Sequence, residues 1–224
     1  MDNRPNCSYG RRTLLMDKNL VIIGNSSAAR ECYWMAQEIW GDRLRFKGFL
    51  SFEGYPQKLR NLAEMEIGVD DAFVPEQDDV FVIGIASPEL RLKAYAKWKA
   101  RGASFCNLVH PSSYVGESAH VGEAMIVTAN CHFSCDAIIG NANYFNGAVV
   151  VGHDAVIGDG NFFGPYALIL GDTHIGDGNA FGVRSVVLPG ANIGNSNIIA
   201  PGAYIYKGCR DGWRMAGNPA MRID

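Results

Sequence analysis

His153 and Asp154 stand side by side in Val151-Gly152-His153-Asp154, and Gly171 follows the histidine by eighteen residues. Imidazole titrates near neutral pH. It is therefore the natural general base for taking a proton from an amine or hydroxyl as that group attacks a carbonyl. Such a step needs no Ser or Cys nucleophile. A neighbouring carboxylate can orient the ring and stabilise the imidazolium that forms. A solvated surface residue would explain a solitary histidine just as well, so the weight rests on where the chain places this one.

That placement is set by a period of six. From Val115 to Ile205 every sixth residue, sixteen positions in succession, is Val, Ile or Phe, and in nine of them Gly follows. Neither an α-helix nor an ordinary strand has this period. The residue two places earlier is mostly small (Ala119, Cys131, Ala137, Ala155, Ala167, Ala191, Ala203), with Asn143, Asn161, Asn179 and Asn197 interspersed. One large and one small inward side chain per hexad describes a short strand and a sharp corner. Three such sides close a coil of eighteen residues, echoed by Phe145, Phe163 and Phe181. This is the hexapeptide β-helix repeat, in which stacked coils bury a core that no single coil could bury alone. Gly after the aliphatic residue suits a corner whose backbone angles exclude a Cβ.

On this framework the second residue after each inward aliphatic projects from a corner. One such column reads Glu117, Cys135, His153, Gly171, Pro189, Lys207. His153 lies mid-column, and Gly171 above it opens a slot for an extended carrier. Cys135 lines the same column without a reactive role, and Cys131 is an inward core residue. Asn141, Asp159, Asp177 and Asn195 form another column, suited to tight corners and to a hydrogen-bonded ladder. His120, His132 and His174 precede inward aliphatics, and His110 precedes Pro111. A zinc hydratase of the γ-carbonic-anhydrase kind shares the coil architecture and needs a cluster of histidines. Here residues 132, 153 and 174 are twenty-one apart, which is out of step with the coil, so no metal is expected.

Residues 18 to 110 lack the hexad and read as a Rossmann-like α/β unit. Leu20 to Ile23 forms a strand ending at Gly24, and Ser26 or Ser27 caps a helix to Trp40. Arg45 to Leu50, Val80 to Ile85 and Ser104 to Leu108 are further strands, and Ser87-Pro88-Glu89 starts a second helix running to about Arg101. Ligands bind beyond the carboxyl ends of such strands, here at Gly24-Asn25-Ser26-Ser27 and Gly84-Ile85-Ala86-Ser87. The glycine pattern of dinucleotide binding is absent, which leaves a nucleotide-sugar pocket or ordinary helix caps. The expected division is a disordered tail over 1 to 17, the α/β domain over 18 to 110, the β-helix over 111 to 206 and a C-terminal tail over 207 to 224.

A net charge of −3 over 224 residues, without a polybasic stripe, excludes a nucleic-acid groove. No apolar run is long enough to span a membrane. Arg11-Arg12 lacks the apolar region of an export signal, translation could equally begin at Met16, and six Cys without a disulfide framework fit a reducing cytoplasm.

The whole chain from Asn19 onward resembles the sialic acid O-acetyltransferase / UDP-4-amino-sugar N-acetyltransferase family of hexapeptide acyltransferases. The matching strings are VIIGNSS, VFVIGIASPELRLKAY, NLVHPSS, GHDAVIGDGNFFG, IGDGNAFGVRSVVLPG and the terminal AGNPAMR. The resemblance implies a left-handed β-helix and a cytoplasmic homotrimer with sites between adjacent chains. It further implies His153 as base assisted by Asp154, and acetyl-CoA as donor along Gly171, Val183 and Ala200-Pro201-Gly202. A nucleotide-sugar acceptor would lie on Gly24, Asn25 and Ser26. The implied reaction is acetylation of a sugar or nucleotide-sugar in surface-glycan synthesis, on an amine or, alternatively, on a hydroxyl. A non-catalytic β-helix scaffold is the remaining alternative. The chain departs from the family at Phe162, where the amino-sugar enzymes carry a second His, and in the first loop, GNSSAARE, where they carry Gly and His.

Overall fold

In the computed structural model, which describes residues 18–52 and 57–223, the apolar run after Asn19 becomes a central strand with Leu20 to Ile23 fully buried. The tail expected over 1 to 17, with Cys7, Arg11-Arg12 and Met16, lies outside the described residues. The central strand, β1 (Asn19–Ile23), is followed by α1 (Ser27–Trp40), β2 (Phe46–Ser51), β3 (Glu66–Val69), β4 (Asp79–Ile83) and α2 (Pro88–Ala100). The four strands form one parallel sheet in the order β3-β2-β1-β4. Two readings change here. Of the strand expected over Ser104 to Leu108, Phe105 joins this sheet only by a single bridge to Phe81 and Leu108 belongs to a strand of the next unit, while the edge beyond β2 is formed by β3. β3 escapes a period-based reading because its Ile67, Gly68 and Val69 are all exposed on the sheet edge.

From β5 (Leu108–Val109) onward the chain is a left-handed parallel β-helix with two-residue strands at every sixth position. Three sheets result. The first runs from β5 through Ile126–Val127, Tyr144–Phe145, Phe162–Phe163, Ala180–Phe181 and Ile198–Ile199. The second runs from Tyr114–Val115 to Tyr204–Ile205, and the third from His120–Val121 to Asn192–Ile193 and Gly208–Cys209. Past residue 207 the chain stays in sheet: Arg214–Gly217 pairs with Ile198–Ile199 and turns back antiparallel through Ala220–Arg222. That hairpin extends the first sheet, and its Met215 and Ala220, with Trp213, pack on the solenoid core at this end.

The inward residues behave as the period requires. Phe145, Phe163 and Phe181 stack at 4.7 and 4.8 Å with planes within 8° of parallel. Inside the prism Asn143, Asn161, Asn179 and Asn197 form a buried ladder, each side-chain oxygen accepting the backbone N–H of the next coil at 2.7–2.8 Å. A second ladder through Asn141, Asp159, Asp177 and Asn195 runs along a corner at 2.6–2.8 Å. Each ladder satisfies backbone donors that the corners leave out of the sheets.

The glycines after the aliphatic positions need a different explanation from the one offered above. None of the nine has positive φ; the left-handed corner residue lies two places later, where every sixth residue from Ala124 to Gly202 has φ between 53° and 70°. What the nine glycines supply is close stacking. A Cβ on any of them would lie 2.1–3.0 Å from the nearest atom of the adjoining coil. The corner conformation itself is carried at ten of its fourteen positions by residues with a Cβ, among them Asp154 and Asp172.

The α/β domain docks on the first sheet and on the corner between the third sheet and the first. Ile126, Tyr144 and Phe162 join its core, and Leu92 of α2 sits over the side-chain-free Gly160 and Gly178. Tyr144 donates to Glu31 across the junction at 3.2 Å.

Candidate active site

His153 and Asp154 occupy the corner between the second and third sheets, opposite the face that carries the α/β domain. Asp154 takes the left-handed conformation of that corner, with φ 56°. This turn swings its carboxylate back, and His153 Nδ1–H donates to Asp154 Oδ2 at 2.8 Å. The bond leaves the Nε2 lone pair free to accept a proton. Both side chains are more than half exposed.

Nε2 faces Gly171. A Cβ on Gly171 would stand 2.6 Å from His153 Cε1 and 2.7 Å from Nε2, so the imidazole occupies the space that a side chain would fill. The space expected above the histidine as a slot is thus taken up by the ring itself. Asp172, one coil above Asp154, completes the cluster. One ligating atom each from His153, Asp154 and Asp172 fall within 4.8 Å of one another. Sequence reasoning passed over Asp172, although Asp136, Asp154 and Asp172 recur at eighteen-residue spacing.

These carboxylates set the electrostatics. The hydrogen bond to Asp154 is the largest cause that holds His153 above the ordinary imidazole value; desolvation opposes it, and the charges of Asp172 and Asp154 add to it. Titration of His153 by NMR should accordingly give a pKa above 6.5. Asp154→Asn should move it down, because the imidazolium then loses its charged acceptor while the neutral ring loses little.

The other expected residues fall on a second corner. Val183 and Ala200 to Gly202 lie between the first and second sheets, where Gly202 N–H donates to Val183 O at 2.9 Å. A Cβ on Gly182 would collide with Pro201 N at 2.5 Å. The second sheet thus separates this corner from His153. Its outer face carries Tyr114, His132, Val150, Leu168, Val186 and Tyr204, of which Leu168 is exposed beside the His153 column.

Gly24, Asn25 and Ser26 form the loop between β1 and α1, well away from the His153 corner of the same chain. Their bonds run to Leu50, Lys58 and Gly84. Ser26 is the helix N-cap residue, yet its hydroxyl donates to Gly84 O at 3.4 Å instead of capping α1. Asn25 is buried with its Oδ1 unpaired, and Arg30, Lys58 and Arg60 line a hollow at the start of α1.

Other candidates separate. His132 stacks on Tyr114 on the second sheet and His174 lies on the third, so neither joins His153. Phe162 packs edge-on against Tyr144 in the domain junction, not at the His153 corner. Burial pushes the Cys32 and Cys106 thiols up to about 12, which removes them as nucleophiles. Among the described residues no helix is long and apolar enough to cross a membrane.

No protein-family model and no curated protein sequence matches the chain. Solved structures do. PerB from Caulobacter crescentus, in complex with CoA and GDP-perosamine, is 25% identical with a TM-score of 0.82, covering 92% of this chain and 97% of its own. A perosamine N-acetyltransferase from Caulobacter crescentus carrying a histidine-to-asparagine change, with the same two ligands, is 23% identical with a TM-score of 0.81 over 92% and 97%. The acetyltransferase domain of PglB from Neisseria gonorrhoeae, in complex with acetyl coenzyme A, is 21% identical with a TM-score of 0.81 over 92% and 100%. The chain has, over both domains and in the same order, the fold of the hexapeptide-repeat sugar acyltransferases that its sequence resembles.

Proposed function

We propose that this protein is a cytoplasmic, trimeric acetyl-CoA-dependent N-acetyltransferase acting on a nucleotide-linked amino sugar in surface-glycan synthesis. The observation that carries the reading is the His153–Asp154 pair laid over the side-chain-free Gly171, on a fold shared with proteins that hold CoA and GDP-perosamine. His153 Nε2 takes a proton from the sugar amine as its nitrogen attacks the thioester carbonyl. The C–S bond then breaks, and the imidazolium returns the proton to the leaving CoA sulfur. Asp154 holds the ring and, with Asp172, supports its charged form. The donor would run from Gly171 across the second sheet to Val183 and Ala200-Pro201-Gly202.

The acceptor would sit on Gly24, Asn25 and Ser26. There Arg30, Lys58 and Arg60 at a helix N-terminus suit a diphosphate, and the unpaired Asn25 Oδ1 suits a donor group. Within one chain this loop and His153 occupy opposite sides of the prism, so the reaction requires the His153 corner of a neighbour. Exposed apolar residues flank that corner, Leu168 on one face and Ile138 on the other, at 37% and 50% exposure. Both suit burial between subunits.

The test is release of CoA thiol from acetyl-CoA in the presence of nucleotide-linked 4-amino sugars, their 4-hydroxy counterparts and sialic acids. Turnover with the amine is expected. Turnover with hydroxyl acceptors alone would reassign the enzyme to O-acetylation, and absence of acetyl-CoA binding would leave a scaffold. Sedimentation at micromolar concentration should give a trimer; an active monomer would rule out the shared site.

A further inference from the structure

Arg91 is the most unusual buried group in the molecule. It is fully buried in α2, and its guanidinium donates to five backbone carbonyls drawn from both domains. Nη1 reaches Ile83 O, at the last residue of β4, and Ile85 O just beyond it, at 2.5 and 3.0 Å. Nε reaches Ala142 O at 2.5 Å, and Nη2 reaches Ala124 O at 2.8 Å and Asn143 O at 3.4 Å, all on the β-helix. No carboxylate is among these partners, and the Tyr144 ring faces the cation at 5.5 Å. Burial lowers its pKa only to about 10, so it stays charged at neutral pH.

The two carbonyls at β4 flank Gly84, and Gly84 is the platform of the acceptor loop. Its N–H donates to Ile23 O at 2.8 Å, its carbonyl accepts from Ser26 Oγ, and a Cβ on Gly24 would lie 2.8 Å from that carbonyl. A continuous path therefore runs from the β-helix corner at Ala124 and Ala142, through the guanidinium, to Gly84 and the Gly24 to Ser26 loop. We infer that Arg91 is a positioning residue for the acceptor, fixing the Gly24–Ser26 loop in register with the β-helix of its own chain. The inference rests on the reading of that loop as the acceptor site. Only a planar fork with five N–H donors spans these carbonyls; an ammonium has three donors at one point.

Arg91→Lys keeps the charge and loses the span. It should raise KM for the nucleotide-amino-sugar by about tenfold or more and leave KM for acetyl-CoA within about twofold. Amide exchange over residues 24–27 and 84–87 should quicken by about tenfold, with the β-helix coils unchanged. Leu92→Ala, which loosens the same docking contact without touching the carbonyls, should lower Tm and leave the two KM values alone. Uniform exchange, unchanged exchange, or KM values that move together would overturn the inference. In the wild-type protein the same two segments should open together with α2, and independent opening overturns it without any variant. Lack of turnover by the wild-type enzyme with every nucleotide-sugar would instead remove the acceptor reading, while the exchange result still decides whether Arg91 holds the loop.

Discussion

Replacing His153 by alanine should lower kcat by about 10² to 10⁴, the range that a positioned general base contributes. In barrier height this is about 3 to 5 kcal/mol, larger than any expected change in stability. The side chain is 58% exposed and its side-chain hydrogen bond runs to Asp154, so the coils beneath it should be indifferent to its loss. Trimerisation and acetyl-CoA affinity should hold. Wild-type kcat/KM should rise with pH through the His153 pKa, because only the neutral ring can accept the proton. That limb should lie above the ordinary imidazole value and move to lower pH in Asp154→Asn, in step with the NMR titration. A His153→Ala enzyme with near-normal turnover would sink the mechanism while leaving the fold untouched.

How much of this was legible beforehand depends on whether a residue acts through the repeat or across it. His153, Asp154 and Gly171 were readable because the coil converts a spacing of eighteen into vertical stacking, and the Asn141 to Asn195 ladder was readable for the same reason. The corner glycines misled. A period shows where small residues recur, and it cannot distinguish positive φ from close approach; only φ values and the distances to the next coil separate the two. Arg91 was invisible. In Pro-Glu-Leu-Arg-Leu-Lys it looks like one more charge on a solvated helix face, and its five carbonyl partners come from segments 6 to 52 residues away. Phe162 follows the same geometry. Nine residues after His153 is half a coil, which carries the chain around the prism to the sheet under the α/β domain. The proposed partition of the site between two chains rests on that same geometry, since the α/β domain that carries the Gly24 loop docks on the first sheet and His153 lies on the corner opposite.

The second large effect is expected at Gly171, and the geometry makes it stronger than a mere narrowing of a donor groove. Gly171 is among the buried positions, and its φ lies outside the left-handed region, so a side chain there strains no backbone torsion. The atoms nearest to its Cβ belong to the His153 ring, at 2.6 and 2.7 Å, and that ring is the exposed end of a side chain that can rotate away. Gly171→Val should therefore fold and assemble normally while expelling the imidazole from its seat. Nε2 would move by an ångström or more, and misplacement on that scale costs about 10² in rate. Both kcat and acetyl-CoA affinity should fall in Gly171→Val. Combining it with His153→Ala should cost little more in kcat than His153→Ala alone, since the two changes remove the same positioned base. Fully additive losses in the double variant would show that Gly171 serves the donor only, and that the ring seen over it is not the working position of the base.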